Sequence, residues 1–379
     1  MLTHLGNITT EEFLRYYWQK KPLLVRNAFP NFESPLTPDE LAGLALEDEV
    51  ESRIVLENGT DGPWQLLNGP FEEDVFTQLP ETHWTLLVQA VDQWVPEAQS
   101  ILEAFRFLPR WRLDDLMVSY APEGGSVGPH FDYYDVFLIQ GHGQRRWQVG
   151  SKADDDSPRI DGTPLRILKE FIPEQEWVLE PGDMLYLPPQ YSHNGVALND
   201  CLTYSVGFRA PSIGEIIDDL ATEAISHHRG HQRYTDPAQP VKHHGEISEA
   251  AVERLGELLQ TALLDKQLLR NWLGRTMTSR KYPELDISQE SGQANWIGEL
   301  KNGATLQRHP ASRFAFADTV NKKAELFVDG EAVVVELEFA RLLCGGCELN
   351  WQVLGPYFST EKTKNVIEQL IEYGALYLN

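Results

Sequence analysis

Two histidines and an aspartate, His130, Asp132 and His193, constrain this chain more than any other feature. Two imidazoles and one carboxylate can occupy one face of an octahedral metal and leave three positions open. That is the ligand set of non-heme Fe(II) oxygenases. Residues i and i+2 of a strand point to the same side. On a strand, His130 and Asp132 would therefore project together while Phe131 turns away.

An H-x-D pattern alone is common; its surroundings carry the weight. The stretch Gly124-Gly125-Ser126-Val127-Gly128-Pro129 runs straight into His130, and glycine-rich backbone permits a sharp turn or close packing at a barrel rim. Val136 to Ile139 reads as a buried strand, Gly141 to Gln144 as a tight connection, and Arg145 to Val149 as its partner strand. Alternation in that partner places Arg145, Trp147 and Val149 on one face, with Arg146 and Gln148 on the other. Trp177 to Leu179 is a strand, Glu180-Pro181-Gly182-Asp183 a turn, and Met184 to Leu187 a strand closed by Pro188-Pro189. His193 follows on the next rim, and Cys201 to Phe208 forms another strand. Short strands at regular spacing with turns between them predict a barrel or jelly roll.

A chain of 379 residues, 42% hydrophobic and 10% aromatic, has room for two or three domains and a sizeable core. It contains no apolar run long enough to cross a bilayer and no basic-then-apolar opening of secretory type. Three cysteines make no disulfide framework, so the expected compartment is a reducing cytoplasm. With 32 basic and 57 acidic residues the net charge is −25. That balance argues against direct nucleic-acid binding. It suits either a solvated acidic surface or capture of a basic protein.

Residues 9–21 read as an amphipathic helix capped by Thr9 or Thr10, with Phe13, Tyr16 and Tyr17 on one side and Pro22 ending it. Leu23 to Val25 is a strand, and Thr37-Pro38-Asp39-Glu40 opens a second short helix. Residues 81–108 are expected to be mostly helical around Leu86 to Val91, and strands dominate from about 111 to 209. Helices are then predicted over Ile213–Ser226, Ser248–Leu264 and Lys266–Thr278, the second with an apolar series Val252, Leu255, Leu258, Leu259 and Leu263. A polar linker at 284–294 precedes a small α+β module. There Asp329-Gly330 marks a hairpin turn between Ala324–Val328 and Ala332–Val335, and Glu338–Leu343 and Glu361–Tyr373 are further helices.

Several stretches also resemble a known family. These are Phe13 with Tyr17 to Arg26, Gly124 to Asp132, Tyr134 to Gly141, Arg145-Arg146-Trp147, Glu180 to Pro189 and Tyr204 to Pro211. Together they resemble the bacterial ribosomal oxygenases, a JmjC-type, cupin-like group of 2-oxoglutarate oxygenases. The resemblance implies a mainly β fold with α elements. It comprises a double-stranded β-helix domain over 1–211, a helical dimerisation domain over 212–290 and a winged-helix-like C-terminal domain over 291–379. It implies that His130, Asp132 and His193 hold Fe(II), with 2-oxoglutarate and O2 as cosubstrates. Arg145 is expected to grip the distal carboxylate of 2-oxoglutarate, where a charge-assisted, bidentate donor is needed. Ser119 would add a hydrogen bond. The implied reaction is hydroxylation of an arginine at C-β, giving 3-hydroxyarginine, in a basic large-subunit ribosomal protein, by a cytoplasmic homodimer. Histidine hydroxylation, N-methyl-lysine demethylation and a non-catalytic metal-binding cupin stay open as alternatives.

Other suggestive residues are weaker. Cys344-Gly345-Gly346-Cys347 lacks a second pair for zinc and reads as a structural turn. His227, His228, His231, His243 and His244 are too loosely spaced to argue for a metal, and His142 is expected to be solvent-exposed.

Overall fold

The computed structural model describes residues 2–57, 64–226, 231, 233–236, 243–288 and 295–379. The chain divides into two compact units, residues 1–210 and 211–379. The helical segment and the C-terminal module read separately from the sequence thus fall within one unit.

The first unit opens with a small hairpin, β1 (His4–Leu5) and β2 (Ile8–Thr9), leading into helix α1 (Thr10–Tyr16). Thr9 and Glu12 form the reciprocal capping box that satisfies two otherwise unpaired N–H groups. The helix stops at Tyr16, before the predicted end at residue 21, because a tertiary partner takes over: the Gln19 N–H donates to the Tyr186 hydroxyl at 2.7 Å. Phe13 is fully buried and Tyr16 half exposed, so the expected aromatic face is split. Strand β3 (Leu23–Val25) and helix α2 (Pro38–Leu44) follow, α2 capped by Thr37 and Glu40 as its sequence requires. Next come β4 (Ser52–Leu56), β5 (Gln65–Asn68), α3 (Glu73–Gln78) and β6 (Trp84–Val88).

Strand β6 corrects the helix expected over 81–108. Leu86-Leu87-Val88 pairs with β4 on one side and with β7 (Leu113–Ala121) on the other. A short apolar run carries no period that separates strand from buried helix, and neighbouring strands decide. Helix is confined to α4 (Val91–Trp94) and α5 (Gln99–Glu103).

The remaining strands wind between two sheets. They are β8 (Val136–His142), β9 (Arg145–Lys152), β10 (Pro173–Leu179), β11 (Met184–Leu187), β12 (Tyr191–Ala197) and β13 (Cys201–Phe208). One sheet has the order β3-β11-β8-β13-β7-β6-β4-β5 and the other β10-β9-β12. Pairing is antiparallel throughout. This shuttling from sheet to sheet is the double-stranded β-helix, or jelly roll. The large sheet packs its outer face on a core built around Phe13, Phe105, Phe137, Tyr186 and Phe208. Between the sheets lie Val136, Leu138, Trp147, Val149, Leu179, Leu185 and Leu187.

A buried polar knot ties the N-terminal segment to the barrel. Asp135 is fully buried and accepts from the Tyr186 hydroxyl at 2.6 Å, Gln19 Nε2 at 3.1 Å and Arg112 Nη2 at 3.1 Å. Burial and the Asp135 carboxylate push the Tyr186 phenol up, which keeps it the donor.

In the second unit, α6 (Ile213–Ser226), α7 (Glu249–Leu263) and α8 (Lys266–Thr278) match the predicted helices closely. Leu220 and Ala224 of α6 pack with Leu268 and Trp272 of α8 in a small shared core. Helix α9 (Trp296–Lys301) and β14 (Thr305–Arg308) precede the antiparallel sheet β15 (Phe314–Asp318), β16 (Lys323–Val328) and β17 (Glu331–Glu336). Asp329 and Gly330 both have positive φ, the type I′ geometry foreseen for that hairpin. After them come α10 (Leu337–Cys344), β18 (Leu349–Asn350), α11 (Trp351–Leu354), α12 (Glu361–Glu372) and β19 (Leu376–Leu378). The predicted linker at 284–294 lies partly outside the described residues.

Replacing Asp135 by alanine strands the buried Tyr186 hydroxyl and the Arg112 guanidinium. Breaking such a buried pair from one side costs about 3–5 kcal/mol. Urea unfolding of Asp135→Ala should show a loss of that order; a loss under about 1 kcal/mol would remove the knot from the account of the fold.

Candidate active site

His130 is not part of a regular strand, contrary to expectation. It sits in an isolated antiparallel bridge opposite His193. The His130 N–H donates to the His193 carbonyl at 3.0 Å, and the His193 N–H donates back at 2.8 Å. Two residues on, the Asp132 carbonyl accepts from Gln190 N–H at 2.6 Å. The segment is therefore fixed at its two ligand positions, to β12 and to Gln190 just before it, although it is too short and irregular to form a strand. Gly128 helps deliver it. Its φ is +79°, and an added Cβ would lie 2.9 Å from Ile167. Ser126 locks the approach by accepting from Gly128 N–H at 3.0 Å and donating to Asn194 Oδ1 at 3.1 Å.

The result is a cluster of three side chains whose ligand atoms all lie within 4.8 Å of one another. His193 Nε2 is 3.7 Å from Asp132 Oδ2, and the two imidazole centroids are 4.3 Å apart. Both rings are oriented from behind. His130 Nδ1 lies 2.9 Å from the Gly128 carbonyl and His193 Nδ1 2.9 Å from the Tyr191 carbonyl. A carbonyl oxygen can only accept, so each Nδ1 carries the proton and each Nε2 keeps a lone pair for a metal. Burial and the neighbouring His130 push the His193 imidazole down to about 4, which keeps it in the neutral, ligating form. The Asp132 carboxylate beside it holds the half-exposed Tyr134 phenol well above its usual range, so that phenol stays a donor to the carboxylate. The donor set and geometry fit a divalent transition metal.

Arg145 is only 3% exposed. Its neighbours are all neutral: the Ser119 hydroxyl at 3.3 Å, the Thr203 hydroxyl at 3.5 Å and the Gly195 carbonyl at 3.3 Å. Its Nε has no partner among the described residues. No carboxylate among the described residues pairs with it. Its guanidinium lies 5.2 Å from the Trp147 ring centroid, and burial pulls its pKa down. Burying a cation without an anion costs several kcal/mol, which a bound carboxylate would offset. An organic anion extending from the triad to Arg145 fits this interior.

Ser119 is where the sequence put it, buried on β7 opposite Thr203 of β13. The sequence reading missed Thr203, Gly195, Gln140, Tyr134 and Trp147. Thr203 donates to Gln140 at 3.3 Å, extending the polar group behind Arg145. Gly195 is small of necessity, since a Cβ there would come within 2.8 Å of Arg145 Nε and 2.7 Å of the Trp147 ring. Alternation along β13 and β8 could have signalled Thr203 and Gln140 as polar residues facing an apolar interior. His142 is exposed as expected, as are His231, His243 and His244. His227 and His228 lie outside the described residues. Cys344 and Cys347 are unbridged, at the C-terminus of α10 and in the bend after it.

A His-Asp-His cluster inside a double-stranded β-helix, backed by a buried arginine with no carboxylate partner among the described residues, defines the class: a metal-dependent oxygenase domain of the JmjC type. Residues 100–216 match the JmjC domain, and residues 257–377 match the ROXA-like winged helix. The chain is 42% identical over 303 residues to the Escherichia coli ribosomal protein uL16 3-hydroxylase, covering 78% of this chain and 79% of that one. It is 32% identical over 386 residues to a probable ribosomal oxygenase of Haemophilus influenzae, covering 97% and 93%. The structure of E. coli YcfD, a ribosomal oxygenase in complex with cobalt and 2-oxoglutarate, aligns with a TM-score of 0.86 at 34% identity over 99% of both chains. The chain belongs to the ribosomal oxygenase family.

Proposed function

We propose that this protein is an Fe(II)- and 2-oxoglutarate-dependent oxygenase that hydroxylates C-β of an arginine in a basic large-subunit ribosomal protein. The observation that carries the cosubstrate is Arg145, a buried cation with no carboxylate partner among the described residues, on the same barrel interior as the triad. The choice of an arginine in a ribosomal protein is supported by likeness to the uL16 3-hydroxylase and by the net charge of −25, which steers a basic substrate inward.

His130, Asp132 and His193 would hold the metal, with the Gly128 and Tyr191 carbonyls fixing the imidazoles. Arg145 would grip the distal carboxylate of 2-oxoglutarate, with the Ser119 hydroxyl steadying the guanidinium. When bound, the iron supplies the coupled conversion of 2-oxoglutarate and O2 to succinate and CO2, with one oxygen atom passing to the substrate C–H bond. The apolar wall of Val136, Leu138, Leu185 and Leu187 excludes water from the same interior. No side-chain base is required for a C–H reaction, and none is assigned.

The helical segment 212–290 acts in this reading as a dimerisation module, followed by a winged-helix-like domain over 291–379. In support, α7 buries none of its residues, and its stripe of Val252, Leu255 and Leu259 is about half exposed. No helix among the described residues is long and apolar enough to cross a membrane, and the place of action would be the cytoplasm, on the protein rather than on RNA.

His130→Ala and Asp132→Ala should each abolish substrate-dependent succinate formation in folded protein; normal turnover in either would exclude the triad as the iron site. Arg145→Ala should raise the 2-oxoglutarate requirement about tenfold or more, since a charge-assisted bond contributes roughly 1.5–3 kcal/mol. An unchanged requirement would remove Arg145 from the cosubstrate. For the dimer, light scattering at micromolar protein should give twice the chain mass, and Leu255→Asp with Leu259→Asp should halve it. A monomeric parent protein would overturn that assignment.

A further inference from the structure

Trp147 presents a polar group that the fold leaves unused. Its side chain is 5% exposed, and its indole N–H has no hydrogen-bond acceptor among the described residues. Most buried donors find a partner, and leaving one unmade costs free energy that a phenylalanine of similar shape would avoid. The position of the indole shows what could use it.

Arg145, Trp147 and Val149 follow one another along the inward face of β9. Val149 is in register with His193, and Trp147 with Gly195. Trp147 thus stands between the arginine and the metal ligand, with its ring 5.2 Å from the Arg145 guanidinium carbon and 6.0 Å from the His193 ring centroid. A five-carbon dicarboxylate that reaches from the triad to Arg145 would run along this face, beside Trp147. Two unpartnered N–H groups, Arg145 Nε and Trp147 Nε1, belong to adjacent side chains on this one face.

We propose that Trp147 is a hydrogen-bond donor to the bound cosubstrate, its indole N–H going to a carboxylate oxygen of 2-oxoglutarate held against Arg145. The inference rests on the cosubstrate reading above and adds a residue to it. It also accounts for Gly195: the flat indole needs the space that a Cβ would fill at 2.7 Å, so the opposite strand is kept bare where the ring lies.

The test is binding rather than turnover. In calorimetric titration of manganese-loaded protein, Trp147→Phe should bind 2-oxoglutarate about three- to tenfold more weakly than the parent, the effect of one lost hydrogen bond. An unchanged Kd in a folded Trp147→Phe protein would overturn the inference. If that variant does not fold, the parent protein provides the answer. Among the ten tryptophans, one indole N–H signal in the 15N spectrum of zinc-loaded protein should move downfield on adding 2-oxoglutarate. A spectrum with no moving indole signal contradicts the assignment. Arg145→Ala, titrated in parallel, separates the two levels. Weakened binding in Arg145→Ala with none in Trp147→Phe defeats the tryptophan alone; unchanged binding in both defeats the cosubstrate reading as well.

Discussion

The site depends on one pair of backbone hydrogen bonds, those exchanged between His130 and His193. They bring together two segments far apart in sequence and set the two imidazoles 4.3 Å apart, centroid to centroid, with their planes tilted by 59°. Bonded antiparallel neighbours have their side chains on the same side of the sheet, so the register alone makes the imidazoles converge. A shift of one residue would turn one of them out of the barrel. The surrounding features defend that register: the left-handed Gly128, the Ser126 clamp to Asn194 and the Gln190–Asp132 contact. The carbonyls behind both Nδ1 atoms then set the tautomer, so the fold itself directs the Nε2 lone pairs.

The second constraint is electrostatic. Arg145 is held by two hydroxyls and a carbonyl at 3.3–3.5 Å, long contacts between a cation and neutral groups. Such contacts orient the guanidinium but recover only part of the hydration it has lost. Desolvation therefore wins in the isolated site, and the difference is available to an incoming carboxylate. Asp135 and Arg112 show the opposite arrangement in the same unit. There a buried carboxylate meets a guanidinium, a phenol and an amide, all between 2.6 and 3.1 Å. One buried charge is closed within the fold and the other is left for a ligand, and that contrast distinguishes a structural ion pair from a binding site.

Much of this was legible in the residues. Period-two alternation from Arg145 to Val149 gave the inward face of β9 correctly, cap and turn residues gave α2 and the Asp329-Gly330 hairpin, and apolar spacing gave α7. The failures share a cause, namely partners distant in sequence. Leu86-Leu87-Val88 reads equally well as helix until β4 and β7 flank it. The helix predicted to run to residue 21 ends at Tyr16 because Tyr186 captures Gln19. His130 and Asp132 reach one side as expected, but through isolated backbone bonds to β12 rather than along a strand. Thr203, Gln140 and Gly195 are ordinary strand residues whose role follows only from where Arg145 extends.

The central claim joins an iron and 2-oxoglutarate site to an arginine in a basic ribosomal protein. Mass spectrometry of large-subunit ribosomal proteins incubated with this protein, Fe(II), 2-oxoglutarate and O2 tests it most directly. The account requires one of them to gain the mass of a single oxygen, with fragment ions locating it on an arginine side chain. Oxygen on a histidine, loss of a methyl group from a lysine, or succinate formed with no change in any protein mass would contradict it.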